Sequence, residues 1–135
     1  MNLQTKALMA TSACLMALVG VGASFLPQEM LAYADLPAQN FPVVLIQIIG
    51  ALYLGFGLLN WNARGMLFGG IYGRPIILGN FMHFAVVTIA LVKFLSVQTS
   101  PLLLAGAAAY IPLSVWFGLV LFTHPLGSAK PGTDE

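Results

Sequence analysis

Four long apolar runs, residues 7–26, 43–61, 76–95 and 102–123, leave this chain few ways to fold, because each is 19 to 22 residues long. A helix rises about 1.5 Å per residue, so roughly 20 residues cross a hydrocarbon core about 30 Å thick. In lipid, backbone N–H and C=O groups must pair within a helix or around a closed barrel. A barrel strand needs only about 9–11 residues, so runs of this length are helices. The punctuation agrees: Pro27 follows the first run, Pro42 precedes the second, Pro75 sits at the first turn of the third and Pro101 precedes the fourth. The expected fold is all-α, a polytopic membrane protein built as a four-transmembrane-helix antiparallel bundle.

Composition supports a bilayer as solvent. Apolar residues make up 59% of the chain and charged residues 7%, too little charge to cover a water-soluble domain. At 135 residues the chain has room for one domain, the spans over 1–123 followed by a tail. The net charge of +1 provides no basic patch for nucleic acid. Cys14 is the single cysteine, which excludes an internal disulfide.

Orientation follows from the basic residues. Lys6, Arg64, Arg74 and Lys130 fall on one side of a four-pass arrangement, and the 27–42 loop on the other side carries Glu29 and Asp35 but no Lys or Arg. Lys93 opposes the trend from the outer end of the third run, where its stem can snorkel. The positive-inside rule therefore puts both termini in the cytoplasm of a multi-pass protein of the cell inner membrane. Trp61, Tyr72 and Tyr33 fall at or near the interfaces, as aromatic belts do. A second reading of the N-terminus is a signal peptide ending at Ala32-Tyr33-Ala34 and cleaved before Asp35. The 20-residue first run is longer than the roughly 7–15 residues of an h-region, which favours a retained helix. The 27–42 loop reads as a short amphipathic segment on the outer surface. The 124–135 tail has no apolar period and reads as a disordered cytoplasmic segment.

Polar residues inside the spans are few. In the second run Tyr53, Gly57 and Asn60 share one stripe, and Gly50, Gly55 and Gly57 let a neighbouring helix approach closely. In the third run Asn80 and His83 are three residues apart and share a face. His83 lies about 10 Å inside the start of its run and Tyr53 about 12 Å from the same surface. Depth alone thus lets Tyr53, Asn60, Asn80 and His83 converge on an inner-leaflet pocket. An ionisable group in a span is costly and marks function by default, although a neutral histidine that fastens helices together needs only one donor and one acceptor satisfied. His124 is the other histidine, and no carboxylate or thiol is placed to complete a metal set.

The connection between the second and third runs contains "FGGIYGRP". Arg64 and Arg74 bracket this glycine-rich turn, and Gly73 and Arg74 lead into a helix N-terminus, which carries partial positive charge. Arg64, Gly73 and Arg74 are therefore candidate contacts for an anion or a lipid head group, set against a purely topological role for the arginines. In the fourth run Pro112 removes a backbone donor near mid-membrane and is expected to kink the helix. The spans hold no Asp or Glu, and no Ser-His-Asp set, CxxC pair or twin haem histidines occur, so no catalytic residue, metal site or cofactor is assigned.

The sequence "IIGALYLGFGLLNWNARG" with "FGGIYGRPIILGNFMHF", residues 48–84, resembles a group of small bacterial four-helix membrane proteins that are distantly DoxX-like. That resemblance implies the four-helix fold, and for some DoxX proteins an association with quinol oxidation and respiratory complexes, but it carries no catalytic residue onto this chain. The leading expectation is a non-catalytic accessory subunit or helix-packing scaffold whose partners are the lipid bilayer and either further copies of itself or a larger membrane complex. The alternatives are a small-molecule or lipid binding and transport module around His83 and, third, a membrane enzyme or quinone-linked redox component.

Overall fold

A computed structural model describes residues 3–66 and 73–123, and among these every regular element is helical. The elements are α1 (Leu3–Phe25), α2 (Pro27–Tyr33), α3 (Asn40–Ala63), α4 (Gly73–Leu95) and α5 (Pro101–Thr123). Of these, α1, α3, α4 and α5 are long and apolar enough to cross a membrane, which makes the chain a multi-pass membrane protein. The helices group into two compact units, residues 1–65 and residues 66–135.

The starts of α3, α4 and α5 lie before their apolar runs, for a reason carried by proline. The first helical N–H groups have no intrahelical acceptor, so a residue without an N–H is harmless in the first turn. Pro42 and Pro75 accordingly lie inside the first turns of α3 and α4, and Pro101 is the first residue of α5. Ser100 caps α5, its Oγ accepting from the Leu103 N–H at 3.2 Å. Further along, α5 continues as one helix through Pro112, whose ring is exposed.

In the first unit, α1 and α3 pack almost backbone to backbone. A Cβ placed on Gly50 would stand 2.6 Å from the Ser24 amide nitrogen, and one on Gly20 would stand 2.7 Å from the Leu54 nitrogen. Gly57 is similarly close to Ala17, at 3.1 Å from its nitrogen. As residue number climbs along α1 from Ser12 to Ser24, the matching positions fall along α3 from Asn60 to Gly50. Lipid chains are as apolar as leucine, so burial against lipid does not drive this pairing. Close van der Waals contact does, and small residues permit it. Near Gly50, Gln47 donates to the Ser24 carbonyl at 3.5 Å.

The short helix α2 packs on both α1 and α3 through Pro27 and Leu31. The 27–42 connection is therefore partly a helix, with its other face exposed. It ends in a Schellman turn: the Leu36 N–H donates to the Leu31 carbonyl at 2.9 Å and the Asp35 N–H to the Ala32 carbonyl at 3.1 Å. Asp35 takes the left-handed position, φ 54°, where a short polar side chain is better tolerated than a bulky one.

The second unit is built differently. Phe84, fully buried, stacks on Phe117 at 5.3 Å and 12° and packs against Tyr110 at 5.2 Å. Phe81 meets Phe122 edge-on at 5.9 Å. Leu91 sits opposite Gly106, so residue number again falls along α5 as it climbs along α4. These ring pairs add roughly 0.5–1.5 kcal/mol each to the dispersion of the contact.

Candidate functional site

The four residues expected to share a pocket divide between the units. Tyr53 and Asn60 belong to α3 in the first, and Asn80 and His83 to α4 in the second. Asn60, Asn80 and His83 each have partners within their own unit. Asn60, fully buried, donates from Nδ2 to the Ser12 Oγ at 3.1 Å and to the Met16 Sδ at 3.7 Å. Ser12 in turn donates to the Met9 carbonyl at 3.0 Å, so its hydroxyl both accepts and donates. This relay locks α1 to α3 at the end of the pair opposite Gly50. Asn80, also fully buried, donates to the Ile76 carbonyl one turn back at 2.9 Å. The half-buried His83 ring lies 5.2 Å from Phe84 and 6.0 Å from Tyr110, at the edge of the aromatic stack. Tyr53 is half-buried in α3.

Ser12 and Met16 escaped the sequence reading because depth in a span is legible and rotational phase is not. The available signal was the small-residue series Ala13, Ala17, Gly20 and Ser24, with Ser12 beside it. That series marks the face of α1 that α3 covers.

The residues assigned to an anion also divide between the units, Arg64 in the first and Gly73 and Arg74 in the second. Gly73 and Arg74 open α4, with Gly73 buried and Arg74 exposed. Residues 67–72, the glycine-rich turn with Tyr72, and the tail 124–135 with His124 lie outside the described residues. Arg64 folds back over the end of α3. Its Nη1 donates to the Trp61 carbonyl at 2.7 Å and its guanidinium carbon stands 3.7 Å from the centre of the Trp61 ring. A last-turn carbonyl has no intrahelical donor, and the C-terminus carries partial negative charge, so a cation is well placed there. The stacking adds a cation–π contact, and Arg64 remains half-buried.

Near the end of α3 the first unit forms two hollows. One, of about 290 Å³, is lined by Lys6, Trp61, Asn62, Arg64 and Gly65. The other is an apolar groove of about 370 Å³ between α1 and α3, bordered by Ala13, Cys14, Ala17, Leu54, Gly57, Leu58 and Trp61. Trp61 belongs to both. The groove exists because Gly57, Ala13 and Ala17 have no bulk to fill the seam while Leu54, Leu58 and Trp61 wall it on one side. Lys6, which the sequence offered only as an orientation charge, is the second cation of this end.

Comparison of the chain with protein-family models, with curated proteins and with solved structures finds no match.

Proposed function

We propose that the protein is a non-catalytic scaffold or accessory subunit of the bacterial inner membrane, crossing it in four alternating passes with both termini in the cytoplasm. The loop charges support the orientation: Lys6 and Arg64 stand at one end of the first unit, and Glu29 and Asp35 lie in the opposite connection. A distant kinship with DoxX-like proteins, supported by residues 48–84, belongs to the same proposal.

The observation that carries the scaffold reading is a second small-residue face on α3. Gly55 lies two residues, about 200° of helix, from Gly57. Among the described residues a Cβ on Gly55 meets nothing within 4 Å, and Ala51, one turn earlier, is exposed as well. Gly50 and Gly57 seat α1, whereas Gly55 and Ala51 form a notch of the kind that seats another transmembrane helix. Native mass spectrometry from mild detergent tests this. The reading expects peaks at multiples of 14.3 kDa, or with a foreign subunit attached, that disappear in Gly55→Leu. A lone 14.3 kDa species for the unmodified chain contradicts it.

A second reading, a binding module centred on His83, is favoured by the contact of its ring with Tyr110 inside the α4–α5 pair. A discrete small mass that is retained by the protein and lost in His83→Phe supports that reading over the scaffold.

A further inference from the structure

The geometry points to a binding site for one anionic phospholipid at the Lys6–Arg64 end of the first unit, with the phosphate between the two cations and an acyl chain in the groove beside Cys14. The site does not depend on the scaffold reading.

Charge complementarity identifies the occupant. Lys6 and Arg64 line one hollow with Asn62 and Trp61, and among the described residues no carboxylate lines it. Two cations facing a shared cavity repel each other, and an anion between them reverses the sign of that term. Arg64 is already oriented by its bond to the Trp61 carbonyl and its stacking on the ring. A guanidinium has five N–H donors, so donors remain for phosphate oxygens. Lys6, exposed on α1, contributes an ammonium with three more.

The apolar groove turns an anion site into a lipid site. It runs from Trp61 back to Leu54, seven residues or about 10 Å along α3, and is walled on the other side by Ala13, Cys14 and Ala17. A free phosphate would leave this groove unused. A phospholipid uses both hollows, with the indole of Trp61 at the boundary where head group meets chain, the depth at which tryptophan concentrates in membrane proteins. Cys14, the single cysteine, is exposed and lines the groove, so its reactivity reports on whether the groove is occupied.

The test uses the full chain in nanodiscs of phosphatidylcholine with and without phosphatidylglycerol. Native mass spectrometry reads the retained lipid and N-ethylmaleimide reads Cys14. The expected result is one retained phosphatidylglycerol in preference to phosphatidylcholine, with slower Cys14 alkylation when phosphatidylglycerol is present. Each of Lys6→Gln and Arg64→Gln should lower the preference about fivefold, and the pair about thirty-fold. Cys14→Phe should expel the chain while leaving both charges in place, and Lys93→Gln, in the second unit, should change nothing. Circular dichroism confirms that each variant keeps its helices. Equal retention of the two lipids overturns the proposal, as does a preference that survives Lys6→Gln/Arg64→Gln. Displacement of the lipid by inorganic phosphate alone, with Cys14 equally reactive throughout, also overturns it and leaves a simple anion site.

Discussion

The two units solve one problem, holding a pair of helices together in lipid, by opposite means. In α1–α3 the helices touch because side chains are missing: Gly20, Gly50 and Gly57 let main chain meet main chain, and one buried relay, Asn60–Ser12–Met9, fixes the register. In α4–α5 they touch because side chains are large: Phe84, Phe117 and Tyr110 form a stack with Phe81 and Phe122 beside it. The physical lesson concerns direction of tolerance. At its α1–α3 seam the first unit should fail when a single carbon is added. The second should accept an added carbon and fail when a ring is removed.

Phe84→Ala carries the largest expected effect. It empties a fully buried site at the centre of the stack and should cost about 3 kcal/mol, read by reversible unfolding in mixed micelles. That value sits at the low end of the range for such truncations, because the unfolded reference in lipid keeps the ring in apolar surroundings and mainly packing is lost. If Phe84→Ala proved milder than any substitution in the first unit, the contrast would break.

Asn60→Ala comes next. It removes the donor to Ser12 and Met16 and should cost about 1–2 kcal/mol, with Ser12→Ala adding little on top because the two act through one bond. Full additivity in that double-mutant cycle would show that the relay is not what fixes the register.

Asp35→Gly works in the opposite direction. At φ 54° a glycine relieves the left-handed strain of the α2 terminus, and the expected gain is about 0.5–1 kcal/mol. The smallest effect is expected at Gly118→Ala. The added Cβ would stand 3.1 Å from the Phe81 ring, a side chain that can yield by a few tenths of an ångström. A large loss there would mean that the aromatic stack is as intolerant of added atoms as the glycine seam.

The same contrast explains what the sequence could and could not reveal. The four spans were legible because run length and proline placement are one-dimensional properties. Two of their starts moved by a few residues, since Pro42 and Pro101 lie inside their helices rather than before them, while Pro75 lies in the first turn of α4 as read. The role of Gly50 and Gly57 was legible as close packing. Gly55 reads as one of the same set, but it lies on the other side of α3, where no described residue comes within 4 Å of an added Cβ. The candidate site was legible only in part. Arg64 was singled out, while its companion Lys6 and the groove past Trp61 depend on how α1 and α3 are rotated against each other. Likewise depth along α3 does not reveal that Asn60 bonds to Ser12 and Met16 on the first span. Rotational phase is set by packing, and packing is a property of two helices at once.

The most direct test of the glycine seam is a paired measurement of Gly50→Ala and Gly55→Ala by reversible unfolding in one micelle system. At Gly50 the new carbon would stand 2.6 Å from the Ser24 nitrogen, a backbone atom that cannot turn aside, and the expected loss is about 1–3 kcal/mol. At Gly55 the carbon enters open space, and the better helix propensity of alanine should leave stability unchanged or raised by up to about 1 kcal/mol. Equal responses at the two positions would contradict the seam.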